Sequence, residues 1–543
     1  MPKSIARLIA LLAATLPAPV LAQSVEVAVE EGVLAGAQED GLHVFRGVPF
    51  AAPPVGELRW RPPLPPSPWE GVRQATQFGD SCVQPPLPPS SIYYDPRDPM
   101  SEDCLTLNIW APEDARGAPV MVWIHGGSLR IGAGSQPLYD GEVFARQGIV
   151  FVSINYRLGA LGWLAHPELS AESPQGASGN YGLLDQVRAL EWVQANIEAF
   201  GGDAGNVTIM GESAGALSVT YLLASPLARG LFHKAIAQST NTRATPVLDR
   251  EAYGMPSAEQ TGADIAEALG AQSVAELRTM DARALTIRAT LAGHRPEGTI
   301  DGWSLTEQLV ETFDAGRQAP VPLMTGFTEG EMRAGLVPTP VASMDAESYE
   351  AAIRQRYGEL AGEFLRLYPS SDVEESMKAV LRDAVFGWAS EYLVDRHVAA
   401  GFPAYLYLFE RCYPSAEERG LCAFHASELP YVFGQAGPDA PLSDSWPLPD
   451  GEADRRLSQA MVEYWASFAR DGVPSADNAP AWLDYMSGQA FMRFAEEPRS
   501  EEDMLHGMFE LHEEMVRRRR EAGRQWFTDV GVEAPLPAEI TGE

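Results

Sequence analysis

The chain has 543 residues, of which 45% are hydrophobic and 21% charged, a composition typical of a folded protein with a large core. Its 40 basic and 74 acidic residues give a formal net charge of −34. This charge argues against nucleic acid and anionic membrane surfaces as partners.

The first 22 residues have the pattern of a secretory signal peptide. Lys3 and Arg7 make the start basic, residues 8–16 are apolar, and residues 20–22 form a small-residue cleavage site. The apolar run is too short to span a bilayer, and no other stretch is long enough. We therefore expect a signal peptide at 1–22, a secreted or periplasmic protein, and no membrane span.

Residues 25–48 are predicted to form short strands with turns at Gly32, Gly36 and Gly41. Residues 49–100 are rich in proline. Their interleaved aromatic residues, among them Phe78, indicate a loop-rich layer packed on the core rather than a disordered linker.

From residue 105 onward, apolar strands alternate with helical stretches. We predict strands at 105–110, 120–124, 149–155, 206–210, 235–238, 321–326 and 404–409. We predict helices at 185–200, 216–223, 454–472 and 500–528, and mostly helical structure in 252–318 and 345–400. This alternation implies a mostly parallel, twisted central sheet flanked by helices. Residues 23–543 are expected to form one α/β domain with helical and loop insertions.

The four cysteines form two pairs that are close in sequence, Cys82 with Cys104 and Cys412 with Cys422. Four cysteines allow three connectivities. Short loops and an oxidising compartment favour these two disulfides. None of the four has the spacing of a metal site.

The strand at 206–210 leads into Gly211-Glu212-Ser213-Ala214-Gly215, and a run of small, helix-tolerant residues follows. Strand, sharp turn and helix are the context in which G-x-S-x-G forms a nucleophile elbow. Glycines two positions either side of the serine let the two arms approach. The helix N-terminus adds positive potential where an oxyanion would form. Ser213 is therefore predicted to be a nucleophile.

A second turn, His125-Gly126-Gly127-Ser128, directly follows the strand at 120–124. Such a turn can supply backbone N–H donors to an oxyanion, together with the residue after the nucleophile, here Ala214. By itself the turn is a weak signal, but beside the elbow it predicts an oxyanion hole.

A serine nucleophile needs a base and an orienting acid, which follow it in the chain in this architecture. Four histidines follow Ser213 at a distance and lie after a plausible acid: His397, His425, His506 and His512. His425 is preferred because it lies in a loop shortly after the strand at 404–409, where sheet enzymes place chemistry. For the acid, Glu329 and Glu331 both follow the strand at 321–326, whereas Asp301 is better explained as a turn residue.

The sequence resembles the type-B carboxylesterase family, the α/β hydrolases that include carboxylesterases, cholinesterases and related lipases. The family's nucleophile signature matches residues 200–215, and a second signature matches residues 102–112. Residues 155–159 and 179–186 are also family-like. The resemblance implies the α/β-hydrolase fold and ester hydrolysis that needs no metal or organic cofactor.

The resemblance carries the triad roles onto Ser213 as nucleophile and His425 as base. It favours Glu331 over Glu329 as the acid, because Glu331 stands five residues after a strand-end glycine. Met332 follows it where the family usually has glycine.

The implied oxyanion donors are Gly127, Ser128 and Ala214, with Ser128 in place of the family's usual glycine. The resemblance also makes Cys82–Cys104 the family's first disulfide, which closes a loop beside the active-site mouth. That loop has no tryptophan here, which argues against choline esters. Cys412–Cys422 has no counterpart and is interpreted as a staple on the loop that presents His425.

The leading hypothesis is a serine carboxylesterase that hydrolyses a small-molecule ester through an acyl-enzyme on Ser213. Alternatives are a lipase or specialised natural-product esterase, and a non-catalytic binding module. Arg130 follows the oxyanion turn by two residues. Its simplest interpretation is a surface or ion-paired arginine; the sharper hypothesis is that it binds a carboxylate on an anionic ester.

Overall fold

The computed structural model describes residues 24–96, 99–335, 344–526 and 529–536. The predicted signal peptide at 1–22 lies outside these ranges. Within them the strands are β1 Ser24–Val29, β2 Gly32–Glu39, β3 Leu42–Pro49, β4 Val72–Gln74, β5 Ser81–Cys82, β6 Met100–Ser101, β7 Thr106–Pro112, β8 Ala118–Ile124, β9 Val150–Ile154, β10 Gly202–Glu212, β11 Lys234–Gln238, β12 Leu323–Thr328, β13 Ala404–Phe409, β14 Ala490–Phe494 and β15 Pro498–Glu502.

The α-helices of the described ranges lie mostly between these strands. They are α1 Glu142–Arg146, α2 Gly159–Trp163, α3 Pro167–Glu172, α4 Tyr181–Asn196, α5 Ala214–Ala224, α6 Ala258–Leu269, α7 Val274–Thr279, α8 Ala282–Leu291, α9 Leu309–Asp314, α10 Ala346–Tyr357, α11 Ala361–Leu367, α12 Val373–Arg382, α13 Trp388–Ala399, α14 Pro414–Glu417, α15 Leu429–Val432, α16 Glu452–Asp471 and α17 Met508–Glu521. A π-helical turn at Asp383–Gly387 joins α12 to α13. No described helix is both long and apolar enough to cross a membrane.

One 13-stranded sheet organises the fold, in the order β1-β2-β3-β7-β9-β8-β10-β11-β12-β13-β14-β15, with β4 paired to β2. Every neighbouring pair from β9 to β14 is parallel, and the pairs at the two edges are antiparallel apart from β2 with β4. The predicted mostly parallel sheet is therefore confirmed. The strands β5 and β6 form a separate small ribbon.

The central strands are mostly apolar and buried because both faces of the sheet are covered. In β8, the side chains of Val120 and Val122 belong to one core cluster, and those of Met121 and Trp123 belong to another on the opposite face. This period of two shows a strand buried on both sides. All residues of β9, β11, β12 and β13 are likewise buried.

Some local predictions were wrong. Gly36 lies inside β2 instead of in a turn, and its glycine makes room for the ring of Phe45 on the paired strand, which a Cβ would meet. The segment 500–528 was predicted as helical, but its first residues belong to β15, and α17 begins only at Met508. This edge strand is mostly exposed and polar, so it lacks the apolar alternation that reveals a strand. Phe78, which was expected to pack on the core with the other aromatic residues of 49–100, is 42% exposed.

Candidate active site

The predicted site residues lie on the segments that follow the carboxyl ends of central parallel strands. The oxyanion turn follows β8, Ser213 follows β10, and both glutamate candidates follow β12. His425 lies in the loop after β13. Parallel strands bring their carboxyl ends to one edge of a sheet, which is where open α/β sheets bind ligands.

Ser213 occupies a strained turn between β10 and α5. Its backbone angles are φ 55° and ψ −120°, a conformation that side chains rarely adopt. The Ser213 N–H donates to the carbonyl oxygen of Gln238 at 2.8 Å, and its own carbonyl accepts from the N–H of Leu217 at 2.9 Å. A Cβ on Gly215 would overlap the carbonyl oxygen of Ile124, so only glycine lets the turn approach β8.

The His-Gly-Gly-Ser turn packs against this elbow. A Cβ on Gly126 would lie 3.3 Å from the Cβ of Ser213. Gly127 and Ser128 have φ of 101° and 58°. Their N–H groups and that of Ala214 donate to no residue in the part of the chain that the structure describes. These donors are therefore available to a ligand.

His425 and Glu331 are buried and hydrogen-bonded to each other, through Nδ1 of the imidazole and Oε2 of the carboxylate. The other oxygen of Glu331, Oε1, accepts from the Oγ of Ser239 at 2.7 Å and from the N–H of Thr328 at 2.9 Å. Three hydrogen bonds thus hold this carboxylate beside the imidazole, whose Nε2 faces away from it. Met332, next in the chain, is buried.

The other candidate residues lie in different environments. Glu329 pairs with Arg333 at 3.0 Å and with Arg382 at 3.2 Å. Asp301 caps its own turn by accepting from backbone N–H groups, as its turn interpretation expects. The remaining histidines contact other partners: His397 the carbonyl oxygen of Val321, His506 the carboxylate of Asp503, and His512 the hydroxyl of Tyr368.

Sequence reasoning missed two further buried carboxylates, Glu212 and Glu428. Oε1 of Glu212 lies 3.1 Å from Nε2 of His425. Glu428 accepts from Nε2 of Gln238 at 3.1 Å, and Gln238 also holds the Ser213 N–H. Their positions in the sequence could have indicated them, because Glu212 directly precedes Ser213 and Glu428 follows His425 by three residues.

Burial raises the pKa of both Glu212 and Glu428, and the neighbouring carboxylate of Glu331 adds to each rise. Burial alone would lower the pKa of His425, but the negative charges of Glu212 and Glu331 raise it to about 9. In return, the positive charge of His425 acts to lower the pKa of Glu212 and of Glu428. The imidazolium form of His425 is therefore stabilised by its surroundings.

A cavity of about 550 Å³ opens onto Ser213 and His425. Part of its wall comes from the loop closed by the disulfide Cys82–Cys104. In that loop, the hydroxyl of Tyr93 donates to the carbonyl oxygen of His425 at 3.0 Å. Arg130 lines the same cavity and forms no ion pair among the described residues.

The second predicted disulfide, Cys412–Cys422, is also present, so both pairings are confirmed. Cys422 lies three residues before His425, where the chain pairs with the loop that carries Glu331. The N–H of Gly330 donates to the carbonyl oxygen of Ala423 at 2.8 Å, and Nη1 of Arg333 donates to the carbonyl oxygen of Cys422 at 2.8 Å. The disulfide thus braces the loops that carry His425 and Glu331.

Comparisons with known proteins agree with this architecture. Residues 23–510 match the sequence profile described as the carboxylesterase family. The fumonisin B1 esterase of Sphingopyxis macrogoltabida is 37% identical over 486 residues, which cover 88% of this chain and 87% of that protein. The para-nitrobenzyl esterase of Bacillus subtilis (strain 168) is 36% identical over 478 residues, which cover 84% and 92%.

A solved structure of a PNB esterase superposes on this chain with a TM-score of 0.76 at 33% identity. The superposition covers 90% of this chain and 99% of that one. The α/β-hydrolase fold predicted from the sequence is thereby confirmed.

The first test concerns the charge cluster around His425. Glu212→Gln removes the negative charge that raises the pKa of His425 most, so the pKa of His425 should fall. Glu428→Gln should lower it less, because Glu428 contributes least among the three carboxylates. The NMR titration of the His425 ring protons measures both shifts. An unchanged pKa in Glu212→Gln would contradict this account of the cluster.

The second test concerns the brace at Cys412–Cys422. The double variant Cys412→Ser/Cys422→Ser should lose about 2–3 kcal/mol of stability from loop-closure entropy. It should also speed amide hydrogen exchange at Gly330, which mass spectrometry of peptides from 328–335 can follow. As a control, Cys82→Ser/Cys104→Ser should relax its own loop without changing exchange at Gly330. Unaltered exchange at Gly330 in the first variant would refute the bracing role.

Proposed function

Because the chain belongs to the carboxylesterase family, we propose that Ser213, His425 and Glu331 form its catalytic triad. The protein is a serine carboxylesterase and acts on small-molecule esters. The observation that carries the residue assignment is the buried hydrogen bond between His425 and Glu331, next to the elbow that presents Ser213 to the same cavity.

In the acylation step, the Oγ of Ser213 attacks the ester carbonyl carbon while Nε2 of His425 takes its proton. Glu331 holds the imidazole through Nδ1, so that Nε2, which also lies 3.1 Å from Oε1 of Glu212, is the nitrogen that takes the proton. The carboxylates of Glu331 and Glu212 stabilise the imidazolium that forms. His425 then gives its proton to the leaving alcohol oxygen, and the acyl group stays on Ser213.

Deacylation repeats these proton movements with water. His425 takes a proton from a water molecule as that water attacks the acyl carbon, and returns it to Ser213 as the carboxylic acid leaves. In both steps the N–H groups of Gly127, Ser128 and Ala214 stabilise the oxyanion. The Cβ of Ser128 leaves its N–H able to donate, since a backbone donor does not depend on the side chain.

The choice of ester is set by the cavity lining rather than by the triad. Two relatives are named for unlike substrates, fumonisin B1 and para-nitrobenzyl esters. The lining here combines aromatic and apolar residues with the polar tips of Tyr93 and Arg130.

The protein is further proposed to be secreted or periplasmic, with residues 1–22 as its signal peptide and 23–543 as one domain. The two disulfides support an oxidising compartment. The single sheet that runs from β1 to β15 supports one domain. The net charge of −34 argues against a nucleic-acid partner.

Removing the nucleophile tests the proposal directly. Ser213→Ala should lower kcat for a soluble short ester by roughly 10⁴- to 10⁶-fold, since the acyl-enzyme can no longer form. Ser91→Ala, which removes another hydroxyl from the cavity wall, is the matched control and should stay close to wild type. A fluorophosphonate should label Ser213 in the control and not in Ser213→Ala. Full esterase activity in Ser213→Ala would refute the assignment.

The identity of the acid can be tested by comparing two isosteric variants. Glu331→Gln should lower kcat by roughly 10²- to 10⁴-fold, because an amide cannot stabilise the imidazolium and favours the wrong tautomer. Glu329→Gln should change kcat by only a few fold, because Glu329 pairs with Arg333 and Arg382 and not with His425. Steady-state kinetics on folded variants decide between them. The reverse order of effects would assign the acid to Glu329.

A further inference from the structure

Arg130 lies on the turn that follows the proposed oxyanion donors. Its N–H and that of Ile131 both donate to the carbonyl oxygen of Gly127, each at 3.0 Å. Leu129 anchors the turn, because its side chain is buried and its carbonyl oxygen accepts from the N–H of Gly159 at 2.8 Å. The backbone that carries Arg130 is therefore fixed relative to the donors.

The side chain of Arg130 has no counterion among the residues that the structure describes. Among the described residues that line the cavity, it is the only lysine or arginine. It forms no ion pair and no side-chain hydrogen bond with any residue in the described ranges, and its Nε is buried without an acceptor. By contrast, the buried arginines Arg157 and Arg382 are each paired with a carboxylate, Arg157 with Asp185 at 2.7 Å and Arg382 with Asp383 at 2.6 Å.

This unpaired edge of the guanidinium has the geometry of a carboxylate-binding group. A buried N–H without an acceptor is unfavourable, so a ligand that supplies one gains affinity. Nε and the neighbouring terminal nitrogen of an arginine together bind a carboxylate through two parallel hydrogen bonds. A substrate carboxylate in the cavity would satisfy the buried Nε of Arg130 in this way.

We propose that Arg130 binds a free carboxylate on the substrate, and that the enzyme prefers esters that carry such an anionic group near the scissile bond. The carboxylate belongs either to the acyl part, as in a half-ester of a dicarboxylic acid, or to the alcohol part. This inference rests on the proposed function, since it requires that Ser213 attack the ester in this cavity.

The negative charge around the cavity opposes the binding of anionic esters. The chain carries a net charge of −34, and the carboxylates of Asp95, Glu212 and Asp444 line the same cavity. At long range, this field opposes the approach of an anion. At an ionic strength of about 0.15 M it is largely screened beyond about 8 Å. A preference for anionic esters must therefore come from direct contact inside the cavity.

Two matched substrate pairs separate the acyl and alcohol sides. The first pair is monomethyl glutarate and the methyl ester in which an isopropyl group replaces its carboxylate. The second pair is the butanoyl ester of a hydroxypropanoate and its isopropyl isostere. Kinetics in a pH-stat at about 0.15 M salt give kcat/KM for each ester. The wild type should favour the anionic member of at least one pair. That pair shows whether Arg130 binds a carboxylate on the acyl part or on the alcohol part of the ester.

Arg130→Met keeps the length of the side chain and removes its charge. It should lower kcat/KM for the favoured anionic ester by roughly 10- to 100-fold, while the neutral isostere changes by only a few fold. Arg130→Lys keeps the charge without the paired donors and should give a smaller loss. Should Arg130→Met not fold, the inference is tested by Arg130→Lys, which should still lower kcat/KM more for the anionic ester than for its neutral isostere. Arg146→Met, which removes an arginine paired with Glu142 at 2.6 Å outside this cavity, should leave the selectivity unchanged.

Equal losses for anionic and neutral esters in Arg130→Met, or a wild type that favours the neutral member of both pairs, would overturn this inference. Neither result would affect the triad, because hydrolysis of the neutral esters would still depend on Ser213. Retention of activity in Ser213→Ala would instead overturn the proposed function. The two failures are therefore distinguishable.

Discussion

The carbonyl oxygen of Ile124 lies so close to Gly215 that a side chain at that position would overlap it. This contact presses the turn after β10 against the end of β8, so the elbow and the His-Gly-Gly-Ser turn share one edge of the sheet. The rare backbone conformation of Ser213 costs about 1–3 kcal/mol. The buried parallel strands on either side of β10 supply the packing that maintains it. The rest of the site depends on this close packing of the ends of β8 and β10.

Hydrogen bonding distinguishes the three carboxylates that surround His425. Glu331 accepts three hydrogen bonds, including the one from the imidazole. Oε1 of Glu212, which lies 3.1 Å from Nε2 of His425, and Oε2 of Glu428 accept no hydrogen bond, and burial raises the pKa of both carboxyl groups. A buried carboxylate is stable as an anion only when its oxygens are well satisfied. The same sheet edge therefore holds one carboxylate that accepts three hydrogen bonds and two carboxyl groups whose pKa is raised by burial.

Much of this arrangement could be predicted from the sequence because it depends on local patterns. Local sequence alone predicts the strands at 120–124 and 404–409 from their apolar runs. It also predicts the turn at Ser213 from the glycines around it. The choice between Glu329 and Glu331 could not be made from the strand pattern, because it depends on which side chain turns toward His425. Ser239 was missed for the same reason: its contact with Glu331 joins residues 92 positions apart.

The chemistry and the choice of substrate reside on different parts of the chain. The proposed triad and oxyanion donors come from strand ends that the sheet holds rigidly, whereas much of the cavity wall comes from the loops at 87–96 and 441–446. Loops can change without disturbing the sheet, so relatives with one fold can act on different esters. Arg130 is an exception, because the turn that fixes it also fixes Gly127. A substrate held at Arg130 is thereby positioned relative to the oxyanion donors, so recognition there can contribute to the transition state as well as to binding.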